Sequence, residues 1–158
     1  MKIYSIIALL PILLLSATST TNAPTLTPVQ LETQRVEIEV ARRADTIKRI
    51  ETGTNKNCAN IRGGSGEVGC WQILPSTLEG LKKKHNIQVK GYSYEVQKQA
   101  TIAEMKSHVL KGYTPEQTFK VWNSGNLRPC SRGTNRWGVK YDSCKYVQEA
   151  KSVYLKLI

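Results

Sequence analysis

The chain has 158 residues and carries 23 Lys and Arg against 12 Asp and Glu, a formal net charge of +11. That length allows one domain with one core and leaves no room for several. A charge of this size favours anionic polymers as partners, while isolated runs such as Lys82-Lys83-Lys84 read as solvated surface.

Residues 1–23 open with Lys2, continue with an apolar run from Ile3 to Leu15 and end in small polar residues. This is the layout of a secretory signal peptide, too short for a confident membrane span; an uncleaved anchor is the competing reading. Thr21-Asn22-Ala23 offers a cleavage site, although Pro24 disfavours it and Ala17 to Ser19 offers another. The domain is expected over 24–158. It loses only Lys2 and stays near +10. Export places it in the periplasm, the cell envelope or outside, where the accessible polyanions belong to the wall and not to nucleic acid.

Four cysteines, Cys58, Cys70, Cys130 and Cys144, lie in this exported part. An even count in an oxidising compartment predicts two disulfides. Of the three connectivities, the local one is simplest, Cys58 with Cys70 and Cys130 with Cys144, because both pairs bracket polar loops. Without a CxxC pair or a histidine at ligand spacing, no metal is expected.

Thr27-Pro28-Val29-Gln30 predicts the start of a first helix, with Thr27 as cap and Gln30 closing a capping box. Val36, Val40, Ala44, Ile47 and Ile50 follow at helical spacing, and Gly53 ends the stripe. Glu51 therefore sits on the last turn, at the mouth of a loop. Residues 53–69 read as irregular, with a small strand or extended turn near 66–73. Ser76 to Glu79 forms a capping box that starts a short helix to about Lys84. A third helix is expected from Tyr94 to Lys111, lined by Val96, Ala100, Ala103 and Leu110. Thr114-Pro115-Glu116-Gln117 caps a fourth that ends at Trp122. Residues 124–142 read as a loop, and a last helix from about Ser143 to Leu157 turns Tyr146, Ala150, Val153 and Leu157 inward. The fold class is mainly α, one domain with a small extended segment and two disulfide-held loops.

Among these residues Glu51 is the strongest candidate for chemistry. A carboxylic acid among apolar groups has its charged form destabilised and can hold a proton near neutral pH. A solvated glutamate in a last helical turn is the plain alternative. Neither GxSxG nor HExxH is present, so serine and zinc hydrolysis lack support.

Glu51-Thr52, then Gly66-Glu67-Val68-Gly69-Cys70-Trp71-Gln72-Ile73 with Pro75, then Trp122-Asn123-Ser124-Gly125, then Tyr146 together resemble the soluble lytic transglycosylase family. The resemblance spans about residues 36–157, with four motifs in the family's order. Several positions depart from its pattern. Thr52 replaces Ser, Cys70-Trp71 replaces Leu-Met, Trp122 stands for a tyrosine, Glu67 occupies a small-residue position and Gly63 falls where a serine is frequent.

The resemblance implies a lysozyme-like helical domain that cleaves peptidoglycan without a metal or cofactor. Glu51 would protonate the glycosidic oxygen leaving MurNAc, and the same carboxylate would then deprotonate the sugar's 6-hydroxyl to close a 1,6-anhydro ring. Gln72, Asn123, Tyr146, Trp71 and Trp122 are the expected substrate-binding residues. For Gln72, Trp71, Trp122 and Tyr146 a packing role competes, and for Asn123 a helix-capping one. The expected partner is the peptidoglycan glycan strand, alone or beside a secretion or conjugation apparatus that must pass through it. No nucleic acid is expected, and the protein is expected as a monomer. Three rivals remain open: a hydrolytic lysozyme with Glu67 or Asp142 as second carboxylate, a glycan-binding module that has lost turnover, and a secreted basic toxin or nucleic-acid binder.

Overall fold

A computed structural model describes residues 25–55, 57–136 and 138–158. The expected signal peptide over 1–23 lies outside the described residues. Among the described residues five α-helices carry the structure: α1 (Pro28–Thr52), α2 (Pro75–Lys84), α3 (Tyr94–Leu110), α4 (Pro115–Ser124) and α5 (Ser143–Leu155). A 3₁₀ turn over Cys58–Asn60 and one antiparallel pair, β1 (Arg132–Thr134) with β2 (Lys140–Asp142), complete it. Among the described residues no helix is long and apolar enough to cross a membrane.

The helix ends follow from side-chain chemistry. Thr27 and Gln30 form a reciprocal capping box on α1, and Thr114 and Gln117 repeat it on α4. Each box satisfies two of the amide donors that a helix start leaves free. Gly53 (φ 65°) and Gly125 (φ 74°) stop these two helices in backbone conformations that favour glycine. The α2 start differs from expectation. Pro75 takes the first turn after Leu74, with no side-chain cap, because proline's fixed φ suits that position and it needs no donor partner.

α1 packs against α3 and α5, α4 lies along α5, and α2 rests on α3. The core between them contains Ile47, Leu78, Val96, Ala100, Met105, Phe119 and Ala150, each at most 1 % exposed. Val40, Ala44 and Ile47 of the predicted α1 stripe are buried, with Val36 and Ile50 packed at its edge. On α3 the expected inward Leu110 is 66 % exposed. The buried face carries Gln97, Thr101, Glu104 and His108 beside Val96, Ala100 and Met105. Apolar spacing alone did not reveal this face, because its polar members are satisfied by hydrogen bonds within α3, to the preceding loop and, for Glu104, to the end of α2.

Cys58 and Cys70 form a fully buried disulfide that ties the 3₁₀ turn to the segment before α2. Between them the chain is cross-linked by Gly63 N–H to Glu67 O (2.9 Å), Gly69 N–H to Ile61 O (2.8 Å) and the reciprocal Val68–Ile73 pair. The extended segment expected near 66–73 is therefore a pair of isolated bridges, Arg62–Val68 and Val68–Ile73, and not a strand. Bridging this short loop stabilises the fold by roughly 3 kcal/mol in the loop-entropy picture. The Cys58→Ala/Cys70→Ala protein should accordingly melt about 10 °C lower in a thermal scan. An unchanged melting temperature would contradict this role.

The second expected disulfide is absent. Cys130 and Cys144 are free thiols. They face one another at the base of the hairpin, where the hydrogen bond from the Cys130 thiol pushes that of Cys144 up. The hairpin base is closed by Ser131 and Ser143. Ser143 N–H donates to Ser131 O (2.9 Å), and Ser131 N–H donates to Ser143 Oγ (2.8 Å). The hairpin itself was read as loop, because its three-residue strands are largely exposed and lack a buried face.

Candidate active site

One cleft of about 600 Å³ runs between the loop that follows α1 and the facing ends of α2, α3 and α4. Glu51, Glu67 and Gln72 line it, together with Trp122 and Asn123 of α4 and Glu104 and His108 of α3. Glu51 is delivered by the last turn of α1. That turn is anchored to the loop by Thr52, whose Oγ1 donates to Cys70 O (3.1 Å) and Lys48 O (3.2 Å).

Tyr146 Oη donates to Glu51 Oε1 at 2.8 Å across 95 positions of sequence. Burial raises the Glu51 carboxyl from 4.5 to about 7, the Tyr146 hydrogen bond works against the rise, and the charge of Glu67 adds to it. The phenol of Tyr146 is itself pushed up by burial and by Glu51, so it remains a donor. The pair is an acid that retains its proton near neutral pH and a hydroxyl that steadies the carboxylate once the proton has left. These contributions have opposite signs and can be separated. In an NMR titration of the Glu51 carboxyl, Tyr146→Phe should move the midpoint up and Glu67→Gln should move it down. Shifts in the same direction would contradict this assignment of causes.

Gln72 lines the cleft, but its amide nitrogen holds the loop, donating to Gly69 O (2.6 Å) and Ile61 O (3.3 Å). Its backbone adopts φ 46°, a left-handed conformation that costs a non-glycine residue about 1 kcal/mol or more. The two side-chain bonds fix it there. Gly63 explains itself in the same place: a Cβ would stand 2.5 Å from both Gln72 Oε1 and Glu67 Oε2. Glu67 also accepts from Ser65 N–H at 2.9 Å. Sequence alone offered Glu67 only as a rival's second carboxylate; the fold turns it into the cleft.

Asn123 and Trp122 both line the cleft, and Trp122 packs against the core as well. Trp71 does not reach it. This ring is 3 % exposed, donates its Nε1 to Ala44 O (2.9 Å) and lies against Tyr94 at 5.5 Å. Trp71 is a core residue and not a substrate contact, because the turn at Gln72 sends neighbouring side chains to opposite sides. Asp142 is likewise remote from the chemistry. It caps α5, accepting Lys145 N–H at 3.0 Å.

The far wall holds a cluster that sequence motifs did not signal. Glu104 Oε2 meets His85 Nε2 (2.7 Å) and Lys84 Nζ (2.7 Å), and its Oε1 meets His108 Nε2 (3.0 Å). Burial opposes the Glu104 charge, but hydrogen bonds from His108, Lys84 and His85 outweigh it and hold the carboxyl well below the usual carboxylate range. The only trace in the sequence is Glu104 and His108 at helical spacing; Lys84 and His85 arrive from another element. Among the described residues no group of three or more His, Cys, Asp or Glu side chains has an arrangement that could hold a metal ion.

Comparisons with known proteins add no assignment: no protein-family model, no curated protein and no solved structure matches the chain.

Proposed function

We propose that this chain is a lysozyme-like peptidoglycan lytic transglycosylase, exported to the cell envelope, in which Glu51 acts first as general acid and then as base. The observation that carries the reading is Glu51 itself, a buried carboxyl raised to about 7, hydrogen-bonded by Tyr146 and open to a cleft. Its acid form protonates the oxygen between MurNAc and GlcNAc as the bond breaks. The MurNAc acetamido group supports the developing positive charge. The carboxylate left behind is stabilised by Tyr146 and removes the proton of the sugar's 6-hydroxyl, which closes the anhydro ring. An attached nucleophile of this kind has a large effective concentration.

Glu67 favours a second reading. Glycosidases that use water employ two carboxylates, separated by about 5 Å in retaining and about 6.5–9.5 Å in inverting enzymes. Glu67 faces the same cleft and is close enough to raise Glu51. Its Oε2 is engaged by Ser65 N–H, which suits a fixed electrostatic neighbour better than a mobile base. Product chemistry separates the two readings. Digestion of purified peptidoglycan should release muropeptides ending in 1,6-anhydro-MurNAc, lighter by one water and resistant to borohydride. Glu67→Gln should keep substantial activity. Reducible MurNAc ends, with a large loss in Glu67→Gln, would move the protein to the hydrolytic reading.

A further inference from the structure

Positive charge is concentrated beside the cleft. Of the three acids that line it, Glu51 holds its proton near neutral pH, Glu104 is paired with Lys84, His85 and His108, and Glu67 remains. The segment from Arg128 to Asp142, which contains β1 and β2, carries Arg128, Arg132, Arg136 and Lys140 against the single acid Asp142. Arg128, Arg132 and Lys140 are exposed, and the Arg132 side chain keeps 83 % of its surface in water. Asp142 neutralises little of this charge. It caps α5, and its contact with Arg132 is 3.9 Å long.

The hairpin is also built onto the cleft. Asn135 Nδ2 donates to Ser65 Oγ at 2.8 Å, and a Val139 methyl lies 3.2 Å from the position of a Cβ on Gly64, a cleft residue. An exposed basic ribbon thus adjoins the loop side of the cleft.

We propose that this hairpin binds the carboxylates of the stem peptides that hang from the glycan strand in the cleft. The inference rests on the peptidoglycan reading above. A glycan backbone is uncharged, so the cleft needs no basic side chain to hold it. Stem peptides bear carboxylates, which the hairpin attracts. The lactyl branches of a bound strand are therefore directed toward Arg128, Arg132 and Lys140. Each contact is an exposed ion pair, individually weak and screened by salt, and three together set how the strand is seated.

The test uses soluble, uncrosslinked glycan strands bearing their stems, with the stem carboxylates either free or converted to neutral amides. Binding is measured with Glu51→Gln protein, with or without Arg128→Gln/Arg132→Gln/Lys140→Gln, and turnover with the corresponding proteins that retain Glu51. The triple substitution should weaken binding of free-carboxylate strands about tenfold at low salt. It should leave amidated strands unaffected, and raised salt should erase the difference. Equal weakening on both strands, or none on free-carboxylate strands, would overturn the inference while turnover by the protein without hairpin substitutions upheld the cleavage reading. Carboxylate-dependent binding without turnover of either strand would do the reverse. Absence of binding to either strand would overturn both.

Discussion

Glu51→Gln should lower peptidoglycan cleavage by about two to four orders of magnitude, because glutamine keeps the shape of the site and has no proton to deliver. The same substitution should stabilise the protein, and the effect should depend on pH. A carboxyl raised from 4.5 to about 7 makes the native state bind the proton more tightly than the unfolded chain does. Wild-type stability therefore falls as pH rises between those values and levels off above them, a total loss of about 3 kcal/mol. The amide of the variant has no such titration, and its oxygen can still accept from Tyr146. Urea unfolding should show Glu51→Gln more stable by up to about 3 kcal/mol near pH 8, with the gain vanishing below about pH 4.5. An inactive variant that is also destabilised at alkaline pH would mean that Glu51 serves the fold and not a proton transfer.

Glu104→Ala should be the most destabilising single change in the cleft wall. It strips the common acceptor from Lys84, His85 and His108, two of which are largely buried, and removing one partner of such a cluster costs about 3–5 kcal/mol. The sign of its pH dependence is opposite to that of Glu51. Because the folded carboxyl is depressed, its stabilising contribution is complete above the ordinary value of 4.5 and is lost as pH falls through the folded value. The deficit of Glu104→Ala should be full at neutral pH and smaller near about pH 3. A loss under about 1 kcal/mol at neutral pH would show that the cluster is dispensable.

These two glutamates differ in how far sequence reveals them. Glu51 was legible because local signals converge on it: a capped helix start at Thr27, an apolar stripe, a stop at Gly53 and a cysteine-flanked loop. Its partner Tyr146 was legible only through the order of the motifs, since nothing local requires one tyrosine of α5 to meet the end of α1. Glu104 was hidden, because its partners come from the end of α2 and no apolar periodicity points to them. Trp71 was open between sugar contact and core from its motif position alone. The structure decides for the core, with its neighbour Gln72 at the cleft. The β1–β2 hairpin escaped for a third reason. Short exposed strands have no buried face, so they carry no alternation to read. Cys130 and Cys144 were correctly placed at the two ends of one loop, but two serines and a helix start provide the closure expected of a bond between them.

The central claim is that the cleft keeps Glu51 protonated at neutral pH. NMR titration of the Glu51 side-chain carboxyl carbon, assigned by its disappearance in Glu51→Gln, measures this without any substrate. The midpoint should lie near 7. A midpoint at the ordinary 4.5 would leave the cleft with no proton to deliver and would contradict the account.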